Sequence, residues 1–346
     1  MLKVHTPSYA PSFFDMMKLT KPSYYDSFRC LASACPDSCC KEWTVVVDPE
    51  SAAQYRTLPS SLGDRLRQVL TEEDGDTVMS IENGRCPMWR QDGLCQIQAE
   101  LGHDALCKTC REFPRLTHDY GTFVEAQLEL SCPEAARLIL RDGDPSPIVT
   151  QVPGGDAPDY DGEAMQILLM TRENALALIG DPAHSVPEML ALILFYGYHA
   201  QSLLDGLDVP PFDPEAALVQ ARTMALSAPG TDLPAFFQDL EILTQRWRDR
   251  LGAPSPAEFS PMYRRFAAYA VGRYWLQAVA DYDLAGRAKM AVIACLLVQQ
   301  LGGDPMQTAQ LYAKEIENNA DNIDALLDGC YESPLLADDR LLKLLL

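Results

Sequence analysis

Cysteine placement constrains this chain more than any other feature. Nine of its eleven cysteines lie before residue 133, and "FRCLASACPDSCCKEW" (28–43) alone carries Cys30, Cys35, Cys39 and Cys40. The stretch "CPMWRQDGLCQIQAELGHDALCKTCREFPR" (86–115) adds Cys86, Cys95, Cys107 and Cys110, and Cys132 follows in "LSCPEAARL". Thiols this dense in turn-rich sequence point to a metal centre, to thiol redox chemistry or to packing. Cys107 and Cys110 form a C-x-x-C, a spacing that lets two thiolates converge while the tight turn aims backbone N–H groups at the sulfurs. Cys35 and Cys39 share one side of a helical turn if that segment is helical. Adjacent Cys39 and Cys40 cannot face one way in a regular element, so they imply two neighbouring sites or one ligand beside a packed thiol.

Spacing leaves the metal open. Structural zinc takes four cysteines or a cysteine–histidine mixture, and iron–sulfur clusters take thiolates at intervals that vary between families. His103 and His118 lie near the second block, but neither sits at a zinc-finger interval. A C-x3-C-x2-C triplet is absent, because Glu42 stands three beyond Cys39. Cys295 and Cys330 fall in or beside apolar helical patterns and read as small buried thiols.

Charge narrows the partners. The chain has 28 basic and 49 acidic residues and a formal charge of −21. A nucleic acid or an anionic membrane needs a basic face, so neither is expected. The runs "MLALILFY" (189–196) and "MAVIACLLV" (290–298) fall short of the roughly 18 residues of a membrane span and read as buried helix faces. The first 22 residues hold no uninterrupted apolar stretch, so no signal peptide is expected. A cytoplasmic address follows, where disulfides are disfavoured.

The expected fold is mostly α, with a cysteine-rich region carrying small β elements ahead of an all-helical region. The boundaries are 1–145 for the cysteine-rich part, 146–162 for a Pro-, Gly- and Asp-dense linker or long loop, and 163–346 for the helices. "TVVVD" (44–48) is a β-branched run, and "FVEAQLEL" (123–130) alternates apolar and polar residues. Helical spacing marks 61–73, then 163–180, 187–206, 213–227, 233–250, 259–281, 286–301 and 306–319, with a short pair at the end. No internal repeat is present.

The two cysteine blocks and "LELSCPEAARL", in this order, resemble the flagellin lysine-N-methylase family. The resemblance continues more weakly through "FAAYAVGRYWLQAVADYDLAGRAKMAVIA" (266–294). The cysteine blocks are also similar to small zinc- or iron-chelating domains. The family resemblance implies methyl transfer from S-adenosylmethionine to lysine side chains of flagellin, with a [4Fe–4S] cluster. The ligands it implies come from Cys30, Cys35, Cys39, Cys40, Cys86, Cys95, Cys107 and Cys110, with Cys132 a weaker candidate. One cluster needs only about four of them. Ala32 and Glu42 stand where the family more often has glycine, which bears on loop geometry and not on the thiols.

Such chemistry sets requirements. A lysine of ordinary pKa 10.4 needs roughly 4.6 kcal/mol to lose its proton at pH 7, supplied by desolvation or a proton acceptor. Tyr269, Tyr274, Asp281 and Asp283 share one family-like stretch; the plainer expectation is core tyrosines with satisfied hydroxyls and a solvated turn or N-cap. No G-x-G-x-x-G follows a strand, and "VPGGDAP" (152–158) reads as a flexible loop. The expected methyl-donor site is therefore at or near the metal. Arg111 and Arg115 are the candidates to anchor the donor's carboxylate, or else brace the cysteine loop. Trp89 is expected to cover the centre from solvent. A metal module without methylase activity is the second reading, with zinc as the alternative metal, and an electron carrier is a third that leaves the helical half without a purpose.

Overall fold

The computed structural model describes residues 16–73, 75–154 and 159–346. The N-terminal stretch read for a leader and most of "VPGGDAP" lie outside the described residues.

A mixed four-stranded sheet forms from β1 (Met16–Pro22), β5 (Arg115–Asp119), β6 (Phe123–Leu128) and β7 (Pro147–Pro153), in the order β5-β6-β1-β7. β1 runs parallel to β6 and antiparallel to β7. Between β1 and β5 the chain folds a separate antiparallel sheet, β2 (Val45–Val46), β4 (Asp76–Met79) and β3 (Leu70–Glu73), with α1 (Pro49–Thr57) and α2 (Ser61–Val69). Val45, Ala52, Tyr55, Leu62, Leu66 and Met88 give this unit its own small core. The short helices α3 (Gln96–Leu101), α4 (Lys108–Glu112) and α5 (Pro133–Arg137) carry the later cysteines.

Two expectations shift here. The helical pattern over 61–73 ends at Val69, because Leu70 pairs with Met79 and the chain continues as β3. Residues 147–153, in the stretch read as linker or loop, form β7, whose seven residues all pair along β1.

The C-terminal half is helical, as expected: α6 (Gly162–Gly180), α7 (Val186–Leu204), α8 (Pro214–Ser227), α9 (Leu233–Gln238), α10 (Gln245–Gly252), α11 (Met262–Tyr274), α12 (Leu284–Leu301), α13 (Pro305–Tyr312), α14 (Ala320–Glu332) and α15 (Asp338–Leu345). Side-chain caps set the starts. Ser185 and Glu188 make a reciprocal capping box on α7, and Asp161, Asp213, Asp283 and Asp304 cap α6, α8, α12 and α13. The helix read over 233–250 breaks at 239–244. There the Glu241 and Leu243 amides donate to Asn322 (3.1 Å) and Glu315 (2.8 Å), so the segment satisfies its backbone on other helices' side chains. The helix read over 259–281 tightens after Tyr274 into a 3-10 turn (Trp275–Val279), where the Trp275 indole donates to buried Thr171 at 3.1 Å. After α13 the chain widens into a π-helical turn, Ala313–Glu317.

α12 is the hub. It is long and apolar enough by length and composition to cross a membrane, yet 89% of it is buried within this protein. The helix outruns its apolar run because Arg287 is held by Asp281 (2.8 and 2.7 Å) and Lys289 by Asp338 (2.7 Å). A helix apolar nearly all round packs on every side. Against it, α7 approaches at Gly197, where a Cβ would overlap the Ala288 side chain. Gly197→Ala should therefore force the helices apart and lower stability by about 1–3 kcal/mol in chemical denaturation; an unchanged midpoint would show that this contact has slack.

Candidate metal centre

The cysteine loops close one cavity of about 330 Å³ against the start of α5 and the π-helical turn. Seven cysteines line it: Cys30, Cys35, Cys39, Cys40, Cys95, Cys110 and Cys132. Cys86 and Cys107 are not on the wall. Both are buried in the small core behind it, with Cys86 Sγ 3.7 Å from Met79 Sδ. Cys132, the weaker candidate from sequence, is thus on the wall, while Cys86 packs behind it.

Local structure explains how the later thiols are held. Cys95, Cys107 and Cys132 occupy the N-cap positions of α3, α4 and α5, with Pro133 at the first position of α5. An N-cap side chain meets free helix amides, which stabilise a thiolate. Burial opposes them. It outweighs the Ala135 and Glu134 amides and pushes Cys132 up to about 12, and it likewise raises Cys95. Within two thiol pairs the shifts run in opposite directions. Cys39 holds the Cys40 thiol below the usual range while Cys39 itself is raised, and Cys110 and Cys107 shift in the same way, Cys107 down and Cys110 up.

Cations surround the sulfurs. Arg29, Arg111, Arg115 and Lys314 line the cavity against only Asp37 and Glu134. Arg111 donates to the Leu106 carbonyl at 3.2 Å, which braces the loop before α4, and Arg115 lies 5.1 Å from the Phe28 ring. Lys314 is buried, and its ammonium bridges Asp37 (3.1 Å) and Glu42 (2.7 Å) beside the Trp43 ring, 5.1 Å away. Trp43, not Trp89, is the tryptophan on the wall. Trp89 lies outside the lining, under the Arg85 guanidinium at 3.8 Å.

The other candidates lie elsewhere. Tyr269 is a satisfied core tyrosine, bonded to Glu317 (2.8 Å), Arg273 (3.0 Å) and the Leu130 amide (3.2 Å), whereas the buried Tyr274 hydroxyl has no partner among the described residues. Asp283 caps α12 and Asp281 holds Arg287, so both serve structure. His103 lines the cysteine cavity, and His118 lines a different one. Cys295 and Cys330 are buried thiols, as read.

The donor set fits a thiophilic centre: soft sulfur ligands on one wall with a cationic surround. Among the described residues, no three His, Cys, Asp or Glu side chains converge closely enough to hold a single ion.

Backbone strain sits in the same loop. Ala32 (φ 50°) and Glu42 (φ 75°) both adopt the left-handed region. These are the two positions singled out from sequence as bearing on loop geometry, and both take the backbone conformation that glycine adopts most readily. Glu42 offsets its strain by reaching Lys314, and Ala32 has no such contact. Ala32→Gly should raise stability by about 1 kcal/mol, while Glu42→Gly should give no gain because it also breaks the ion pair. Equal effects in denaturant titration would refute this account. Lys314→Met strands two carboxylates and should cost about 2–3 kcal/mol; the check is faster alkylation of the loop cysteines in metal-free protein, with unchanged rates counting against a clamp.

Part of the chain is similar to known proteins. The chain is 34% identical over 133 residues to the flagellar biosynthetic protein FliU of Salmonella muenchen, a match covering 36% of this chain and 79% of that protein. It is also 34% identical over 133 residues to the lysine-N-methylases of Salmonella typhimurium and Salmonella choleraesuis, spanning 33% of each of those longer proteins. No protein-family model matches the chain, and no solved structure does. On the FliU match, the chain belongs to the FliU and lysine-N-methylase family.

Proposed function

We propose that the protein is an S-adenosylmethionine-dependent protein-lysine N-methyltransferase acting on flagellin, with a cysteine-ligated [4Fe–4S] cluster. The observation that carries this reading is the wall of seven thiols on a single cavity, in a chain related to proteins named lysine-N-methylase. Four thiolates on one zinc ion draw to within about 4 Å of one another. Thiols spread round about 330 Å³ suit a larger inorganic body whose ligands sit on separate irons. Such a cluster would be held by thiols of this wall and would supply a Lewis-acidic centre beside the methyl-donor site.

The chain's own groups provide the rest. Phe28, Trp43 and Phe113 give the cavity apolar walls, which desolvate an entering ammonium and lower its pKa toward the neutral amine that methyl transfer needs. His103 stands on the same wall and would serve as the proton acceptor. Arg111 and Arg115 are placed to receive the donor's carboxylate, Arg111 while also bracing its loop. The cytoplasm, where flagellin is made before export, is the proposed compartment.

A second reading has its own observation. The match covers most of FliU but only a third of each methylase, so this chain shares only part of those longer proteins. That part would then be a zinc- or iron-binding module with an interaction role.

Anaerobic purification separates the two. Methyltransferase protein should be brown, absorb near about 400 nm, contain iron and sulfide, and label flagellin from radioactive S-adenosylmethionine. Colourless zinc-loaded protein that leaves flagellin unlabelled would establish the module instead. Cys110→Ser should lose the metal, whereas Cys86→Ala should keep it and lose only about 1 kcal/mol of stability; metal loss in the Cys86 variant would put that thiol among the ligands.

A further inference from the structure

A second cavity, of about 490 Å³, lies on the far side of the Tyr269 network. Its floor is the face of the sheet that carries Thr20, His118, Glu125 and Gln127. Register puts these together: Thr20 and His118 both pair with Glu125, and Gln127 pairs with Leu116. Its roof is α6 and α11, through Leu176, Ile179, Arg264, Arg265 and Ala268. The alternation in "FVEAQLEL" thus turns its polar side toward an interior space.

Three observations point to a ligand. His118 Nε2 and Gln127 Nε2 are buried and have no hydrogen-bond partner among the described residues. Buried polar atoms are nearly always paired, so two orphans on one cavity call for a group that the protein does not supply. The walls are mainly apolar, with Tyr24, Ile139, Leu176 and Ile179, as small-molecule sites are. The charge is one-sided. Lys21, Arg172, Arg264 and Arg265 line the cavity against Glu125 alone, in a chain of net charge −21.

The sign of the ligand follows from the pairs already made. Both Glu125 oxygens are taken by Arg172, at 2.6 and 2.7 Å, so a cation finds no free carboxylate. Lys21 is held by Asp26 at 2.7 Å. Arg264 and Arg265 reach only backbone carbonyls: Arg264 those of Ile179 and His184, Arg265 that of Gly143 at 2.8 Å. Among the described residues neither makes a salt bridge, and the acid that Arg265 acts on, Asp144, is not on the cavity wall. We infer that this cavity binds a small organic anion, a carboxylate on an apolar body, with the Gln127 amide and Arg265 taking the carboxylate and the aliphatic walls taking the body.

The test uses the full chain and benzoate, with benzyl alcohol and benzylamine as neutral and cationic counterparts of the same body, and inorganic phosphate as an anion without one. Calorimetric titration and thermal melting should show saturable stabilisation by benzoate, at a Kd of about 1 mM or below, and at least tenfold weaker effects from the other three. Gln127→Glu, nearly isosteric, should abolish benzoate binding by charge repulsion. The double variant His118→Leu, Gln127→Met removes both orphans, so it should melt no lower than the parent while losing at least tenfold in benzoate affinity. No benzoate binding, equal binding of benzylamine or phosphate, or full affinity in the melted-as-parent double variant would each overturn the assignment. Metal content should be the same in all variants, which keeps this result apart from the fate of the cysteine centre.

Discussion

The ammonium of Lys314 joins the two halves of this protein. It sits buried on the C-terminal helical region and takes Asp37 and Glu42 from the loop that presents Cys35, Cys39 and Cys40. Gln310, one turn earlier, adds bonds to Asp37 and to the Ser131 carbonyl. A cysteine loop of this kind has little apolar surface with which to fix itself. Its order comes from a charge placed by distant helices, and a buried charge with two partly exposed acids holds geometry more strongly than it adds stability. The cavity wall therefore depends on the helical half, which gives that half a purpose that an electron-carrying domain would not need.

The π-helical turn makes the clamp possible. Lys314, Glu315 and Glu317 fall within five residues, yet each is buried in a different place. Lys314 faces the cysteines, Glu315 accepts from the Leu243 amide, and Glu317 accepts from Tyr269 beside Arg273. Wide turns of this type recur at functional sites because they re-aim side chains within an otherwise rigid element. Burial raises the Glu317 carboxyl, and the Arg273 charge opposes that rise.

Legibility followed the range of the interaction. The long helices were visible because 3.6-residue periodicity and Asp, Ser and Pro caps are local, as at Ser185–Glu188 before α7. The breaks within 233–250 and 259–281 were not, because they answer to Asn322, Glu315 and Thr171 from other helices. β1 and β7 were missed for the same reason: their pairing joins residues more than a hundred positions apart, and neither strand has a clean apolar face of its own. At the site, the dense cysteine blocks were plain, but which thiols face the cavity was not. Cys132 carried a readable signal, since Cys-Pro-Glu-Ala places a thiol at an N-cap before a first-turn proline. Cys86 carried none, because its packing against Met79 is a tertiary contact.

Net charge describes the outside of this protein and not its cavities. A formal −21 speaks to the outer surface and to long-range association. It says nothing about the interior, where both cavities are lined by more cations than acids. Lys314 and Arg273 are buried charges that the total does not reveal. The acids lie mostly where water solvates them, and the interior cations are placed where thiolates or a carboxylate would complete them. On the two proposals, one cavity would take a sulfur-bound metal and the other an organic anion, with one electrostatic logic shared between them. An acidic exterior repels anions at a distance, so a ligand of that charge must gain its affinity from contacts made only inside the cavity, which favours selectivity over rapid capture.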